Sequence, residues 1–197
     1  MDQKKKMSTE IYLLRHGETE WNKEGRLQGQ GNSPLTTRGR QQAEELGRLL
    51  VHTLDGVQLP MHVSPLGRAR ETAAIIRRFL PGPEPVIEPR IQEMTLGDWE
   101  GMTRTEVNER WNGIVGADKN AEWWFHAPRG ETYEAFKKRV DSWLSEQEDP
   151  VIAVSHGITT RLIRGAYLGL SRAESLALPV PHGVIWRLAE GRVETLS

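Results

Sequence analysis

Val151-Ile152-Ala153-Val154 is an unbroken apolar run between two segments of helical periodicity, and it constrains the fold more than any other stretch. A strand wetted on one face alternates polar and apolar residues. A strand covered on both faces does not, and such strands belong to parallel sheets flanked by helices. Ile11 to Leu14 has the same character. Strands of this kind, alternating with helices, imply an α/β chain: three α/β/α layers around a mostly parallel central sheet.

The remaining punctuation agrees. Thr36 or Thr37 can cap a helix running through Leu50, with Ala43, Leu46, Leu49 and Leu50 on its inner side. Met61 to Ser64 and Val86 to Glu88 read as short strands. Ala69 to Phe79 is helical and stops at Pro81-Gly82-Pro83. Thr103 to Trp111 is compatible with a helix. Thr132 to Glu148 is a strong one, with Phe136, Val140, Trp143 and Leu144 on one face. Ile158 to Leu168 follows the Val151 strand. Val184 to Leu188 and Arg192 to Leu196 flank Gly191 as a terminal hairpin. Residues 1–9 read as a flexible tail, with Lys4 to Lys6 a solvated charge run. Residues 10–197 read as a single domain. Within it, residues 104–130 form an aromatic-rich excursion. Its Trp111, Trp123, Trp124 and Phe125 must be buried, as a satellite core or as a lid over a pocket.

The formal net charge is -1, which gives no electrostatic case for nucleic acid or a membrane surface. No apolar stretch approaches the length of a membrane span or follows the basic N-terminus as a signal peptide would. There is no cysteine, which excludes disulfides, thiolate metal sites and cysteine nucleophiles. The six histidines show no metal-ligand spacing. A cytoplasmic protein that needs no metal and no cofactor is expected. A homodimer is left open.

Both apolar runs end in a histidine followed by glycine: Arg15-His16-Gly17 after the first, Ser155-His156-Gly157 after the second. In a parallel sheet the C-terminal strand ends share one edge, where ligands of α/β proteins bind. A guanidinium there can grip a phosphate bidentately, and a neutral imidazole can attack its phosphorus. Gly157 opens a helix, whose first N–H groups favour an anion. Arg68 lies in the first turn of another helix and can reach the same anion; its alternative is a surface ion pair. Glu93, Asp98 and Glu100 crowd one segment, and composition does not choose among them.

These residues resemble the histidine phosphatase, or phosphoglycerate mutase-like, superfamily. Leu14 to Thr19 with Trp21-Asn22 looks like its signature, continued by Gly25 to Gly29, Pro34-Leu35-Thr36 and Gly39. Ser64-Pro65-Leu66 with Arg68-Ala69 and Thr72-Ala73 is similar to the second block. Glu93 with Leu96-Gly97 and Trp99-Glu100-Gly101 is similar to the third. Gly130-Glu131-Thr132 and Ser155-His156-Gly157 complete the order. The resemblance implies a phosphoglycerate mutase-like fold and a metal-independent phosphomonoester hydrolase working on a small phosphorylated metabolite. It implies His16 as the nucleophile that becomes phosphohistidine. Arg15, Arg68 and His156 would be the phosphate pocket, with Glu93 as proton donor and acceptor. Asn22, Gln28, Gly29 and Gly157 would add substrate contacts. A bell-shaped rate profile with an acidic to neutral optimum is expected.

Two alternatives stand beside this. A cofactor-dependent mutase would share the pocket, but the mutase branch carries Glu-Arg-His-Tyr-Gly where this chain has Glu93-Met94-Thr95-Leu96-Gly97. A non-catalytic phosphate binder would have no need of Glu93. Two positions depart from the pattern: Asn32 stands where many relatives carry Asp, and His182 where Asn is expected. His182 reads as a loop histidine.

Overall fold

A computed structural model describes residues 10–117 and 122–197. The tail reading for residues 1–9, and residues 118–121 of the aromatic excursion, lie outside the described residues.

The six strands are β1 (Ile11–Arg15), β2 (Met61–Val63), β3 (Val86–Ile87), β4 (Val151–Ser155), β5 (Ile185–Ala189) and β6 (Arg192–Leu196). They form one sheet in the order β3-β2-β4-β1-β5-β6. The first four run parallel, while β5 and β6 are antiparallel additions to the β1 edge. The two apolar runs prove to be neighbours, with Arg15 registered on Ser155. Their side chains alternate between two cores. Ile11, Leu13, Val151 and Ala153 face one, and Tyr12, Leu14, Ile152 and Val154 the other. Burial on both faces is why neither run alternates in sequence.

The helices are α1 (Glu20–Lys23), α2 (Thr37–Leu54), α3 (Gly67–Arg77), α4 (Arg104–Arg110), α5 (Ile114–Ala117), α6 (Tyr133–Ser145), α7 (Gly157–Leu168) and α8 (Arg172–Ala177). Thr36 caps α2 through the N–H of Gly39, and Thr132 caps α6 through that of Ala135. α2 outruns its expected end at Leu50, reaching Leu54 before Asp55 turns left-handed. α6 stops earlier than expected, at Ser145. α1 and α8 are too short for a periodic signal; capping boxes at Thr19 and Ser171 define them instead.

α2 and α3 bury their apolar faces against one side of the sheet, α6 and α7 against the other. The chain therefore leaves β1 and β4 over opposite faces. A crevice opens between the two strand ends, the position at which open α/β sheets hold ligands. The aromatic excursion joins the larger core. Trp123 is buried against Trp99 at 5.9 Å between ring centroids, and Trp111, Trp124 and Phe125 pack partly buried around them. No helix among the described residues is long and apolar enough to cross a membrane.

Candidate active site

The sheet delivers three residues to one line. His16 donates its backbone N–H to Ser155 O at 3.0 Å, and Ser64 donates its own to Val154 O at 3.0 Å. His16, His156 and Ser64 thus sit just beyond the ends of β1, β4 and β2. The two imidazoles face each other with centroids 5.1 Å apart. His16 is 2% exposed and His156 is fully buried.

Hydrogen bonding defines the His16 tautomer. Nδ1 lies 2.7 Å from Gly17 O, and a carbonyl only accepts, so Nδ1 carries the hydrogen. Nε2 keeps the lone pair and accepts from Arg68 Nε at 3.2 Å. Arg68 is itself buried at the start of α3. Its Nη1 and Nη2 donate to Gly31 O and Gly29 O, each at 2.7 Å. The loop 28–31 therefore clamps the guanidinium against the first histidine, and the surface ion-pair alternative for Arg68 is wrong. His156 Nε2 is 2.6 Å from Ser64 Oγ, while its buried Nδ1 has no partner.

A strap from Leu178 to His182 closes the other side. Three successive carbonyls collect three guanidinium groups: Leu178 from Arg161 Nε at 2.6 Å, Pro179 from Arg164 Nη2 at 2.6 Å, and Val180 from Arg15 Nη1 at 2.6 Å. The buried Nε of Arg15 is left unpartnered. His182 then donates Nδ1–H to His16 O at 2.9 Å, with its ring 5.7 Å from that of His16. The loop histidine is thus packed on the first histidine, which sequence reasoning missed. Its only signal was the departure from Asn at that place.

The expected anion site at the N-terminus of α7 is already taken by the protein. Glu93 accepts from the N–H of Ile158 at 3.0 Å and of Thr159 at 3.1 Å, and from Thr159 Oγ1 at 2.9 Å. Among the three acids of its segment, Glu93 alone lines the crevice. Asp98 pairs with Arg129 at the surface. Glu100 organises the loops, accepting from the N–H of Gln30 at 2.9 Å and Leu96 at 3.0 Å and from Thr95 Oγ1 at 2.9 Å. Arg139 steadies the approach to Glu93. It donates to the carbonyls of Arg90 and Gln92, each at 2.7 Å, and pairs with Glu131 at 2.8 Å. A side chain at Gly157 would put a methyl 3.6 Å from Arg15 Nε and 3.8 Å from Glu93 Oε2, in the space those groups share.

The electrostatics follow from burial among cations. Desolvation, then Arg68, His156 and Arg15, hold the His16 imidazole well below the ordinary histidine range. Desolvation, then Arg68 and Arg15, do the same for His156. Burial lowers His182 to about 4, reinforced by Arg15. Burial also pulls Arg15 and Arg68 down to about 10, opposed by Glu93, so both stay cationic at neutral pH.

These groups open into a cleft of about 660 Å³. Arg15, His16, Asn22, Gln28, Gly29, Arg68, Glu93 and Gly157 all line it. His156 is fully buried next to His16, with its unpartnered Nδ1 free to serve an anion bound there. Asn22 uses its carboxamide oxygen to accept from Thr19, which leaves its NH2 group for other partners. Gln28 Oε1 is buried without a partner. Asn32 is exposed beside Gly67 and lines no part of the cleft. Trp124 lines the wall, so one aromatic of the excursion serves both core and cleft. Ser64, Thr159 and Glu100 hold the site together; Ser64 and Glu100 stood in segments the sequence had marked, while Thr159 had no mark.

The chain is 35% identical over 177 residues to "Probable phosphoglycerate mutase GpmB" of Escherichia fergusonii, covering 82% of this chain and 75% of that protein. Among solved structures it superposes on Bacillus stearothermophilus YhfR with a TM-score of 0.79 and 31% identity over 95% of each chain. It superposes on the alpha-ribazole phosphatase from Shigella flexneri with a TM-score of 0.73 and 30% identity, over 91% of this chain and 89% of that one. The family model for histidine phosphatase superfamily branch 1 matches residues 11–192. A chain matched over nearly its whole length, with two facing histidines among buried arginines, belongs to branch 1 of the histidine phosphatase superfamily.

Proposed function

We propose that this protein hydrolyses small phosphomonoesters without a metal, through a phosphohistidine at His16. The observation that carries the reading is the His16 tautomer. Nδ1–H bonds to Gly17 O, so an uncharged Nε2 lone pair lies beside Arg68 and opens on the cleft. Nε2 attacks phosphorus in line, the P–N bond forms, and the ester P–O bond breaks. Arg68 and Arg15 Nε, with His156 Nδ1–H, hold the equatorial oxygens as charge spreads over them. Ser64 Oγ–H donates to His156 Nε2 and so keeps the hydrogen on Nδ1. Protonated Glu93 gives its proton to the departing alkoxide. It then takes one from the water that cleaves the P–N bond, releasing phosphate and restoring His16. Splitting the displacement in two and aiming fixed charges at the phosphoryl oxygens supply the acceleration.

Hydrolysis is favoured over mutase chemistry because the segment after Glu93 lacks the mutase pattern. The alpha-ribazole phosphatase likeness covers nearly the whole fold. The relatives named as probable mutases leave the second reading standing. The test uses radiolabelled phosphomonoesters. Acid-labile label mapping to His16, with phosphate released in each turnover, is the expected result. Interconversion of 2- and 3-phosphoglycerate without net phosphate release would give the mutase reading. No phosphoenzyme and no turnover would overturn both.

A further inference from the structure

Gly130-Glu131-Thr132 lines no part of the cleft, and the proposed reaction gives it no task. Its contacts lead to the segment that carries Glu93. Arg90 to Glu93 pair with no strand, so their carbonyls must find partners elsewhere. Side chains supply them. Arg139 Nη1 donates to Arg90 O and Gln92 O, each at 2.7 Å. Ser155 Oγ donates to Ile91 O at 2.7 Å, and Gln30 Nε2 to Glu93 O at 3.1 Å. Arg139 thus grips the chain on both sides of Ile91, and it does so from midway along α6.

Glu131 fixes the guanidinium in place. Its two carboxylate oxygens accept from Arg139 Nε and Nη2, each at 2.8 Å, and the Phe136 ring centroid lies 4.5 Å from the guanidinium carbon. The pair is largely withdrawn from water, with 17% and 16% of the side chains exposed, so the two bonds hold a definite geometry. The N–H of Glu131 donates to Thr95 O at 3.0 Å, beyond Glu93 in the chain. Thr132 caps α6 through the N–H of Ala135, which sets the start of the helix that carries Arg139. Gly130 permits the close pass, since a methyl there would lie 3.2 Å from Thr95 O. The motif therefore secures the acid segment before and after Glu93. The carboxylate itself rests on the N–H groups of Ile158 and Thr159. A shift of the segment would draw it off those donors.

We propose that Glu131 and Arg139 are positioning residues, which brace the acid segment from α6 and keep the Glu93 carboxylate aimed at the oxygen of the departing group. Neither lines the cleft, so they act through Glu93 alone. This rests on the reading of Glu93 as the acid. A displaced acid harms the step that needs its proton, so the brace matters most for esters whose alcohol leaves poorly.

The test compares kcat/KM of the full chain for benzyl phosphate, whose alkoxide needs a proton to leave, and p-nitrophenyl phosphate, whose phenolate does not. Arg139→Gln should lower the first by about tenfold or more and the second by about threefold or less. Glu131→Gln, a milder change, should show the same bias to a smaller degree. Arg139→Lys, which keeps the charge but not the fork, should recover part of the loss. Once Glu93→Gln has removed the acid, adding Arg139→Gln should cost benzyl phosphate turnover about threefold or less. A second readout needs no turnover. Amide exchange followed by NMR should quicken in Arg139→Gln at Ile158 and Thr159, which Glu93 holds, relative to Thr160, which His156 O holds. Equal losses for the two esters, or a full additive loss on top of Glu93→Gln, would overturn the proposal. If Glu93→Gln shows the bias and Arg139→Gln does not, the acid stands and the brace fails. If Glu93→Gln shows no bias, the acid assignment fails and the proposal falls with it. With no turnover of either ester the hydrolase reading fails; quickened exchange then supports the brace and unchanged exchange overturns it.

Discussion

Arg68 donates its Nε–H to the Nε2 lone pair of His16 at 3.2 Å, while its two Nη groups are fixed on the carbonyls of Gly29 and Gly31. One guanidinium thus touches the proposed nucleophile and anchors the loop that walls the cleft. In the proposed reaction the Nε–H passes from Nε2 to a phosphoryl oxygen as the P–N bond forms.

A lysine cannot meet three acceptors set at the angles of a planar fork. Arg68→Lys should therefore lower kcat/KM by about 100-fold or more. It also leaves buried carbonyls short of donors, a cost of about 1–3 kcal/mol. Steady-state kinetics and a urea melt check the two effects separately. Wild-type kinetics in Arg68→Lys would remove this residue from the phosphate pocket.

Glu93 has two functions that one substitution can separate. Its carboxylate accepts from the first turn of α7, and it is the proposed acid and base. Glu93→Gln should lower kcat by about 100-fold or more, the range for a lost general acid. Affinity for inorganic phosphate should change little. The glutamine NH2 would meet an N–H donor in α7, so the melting temperature should fall as well. Unchanged kcat for a substrate with a poor leaving group would count against the assignment.

His182 touches the backbone of His16 and does not line the cleft. Its Nδ1–H bonds to His16 O at 2.9 Å. An asparagine carboxamide can place a donor near the position of Nδ1. His182→Asn should then keep kcat within about threefold, while His182→Ala should lose about tenfold, with KM less affected than kcat. The two variants behaving alike would show that the hydrogen bond is irrelevant to alignment.

Stability should rise with pH across the acidic range. His16, His156 and His182 are all depressed below the unfolded histidine value of about 6.5. Between the folded and unfolded values the unfolded chain binds more protons, so folding weakens as pH falls. The contribution of neutral burial is complete above about pH 7 and declines through pH 6 and 5. For His182, lowered to about 4, the loss is roughly 2 kcal/mol by pH 5 and roughly 3 kcal/mol by pH 4. Denaturant midpoints taken at intervals from pH 8 to pH 4.5 check this, and a flat profile would contradict it. His16 stays neutral through the same range, so the acid limb of the rate profile should lie below the ordinary histidine range.

The fold's central feature was legible because burial on both faces erases alternation. Ile11 to Leu14 and Val151 to Val154 read as inner strands because neither run alternates. Helix starts at Thr36, Thr103 and Thr132 were legible because a cap is a local hydrogen bond. Helix ends drifted by several residues, since tertiary packing decides where the last turn holds. Arg15, His16, His156 and Gly157 were readable as site candidates because they stand at or just beyond strand ends. Glu93 could be separated from Asp98 and Glu100 only by resemblance.

What sequence alone determined was the set of strand-end groups and the chemistry open to them, since strand, cap and glycine signals arise from neighbours along the chain. Only the tertiary structure decided which of those groups meet. The adjacency of β1 and β4, the clamp on Arg68, the capture of the α7 N-terminus by Glu93 and the strap that seats His182 all join residues far apart in the chain. Such contacts form where packing leaves a buried donor or acceptor unmet, and no local pattern records which distant partner will answer it.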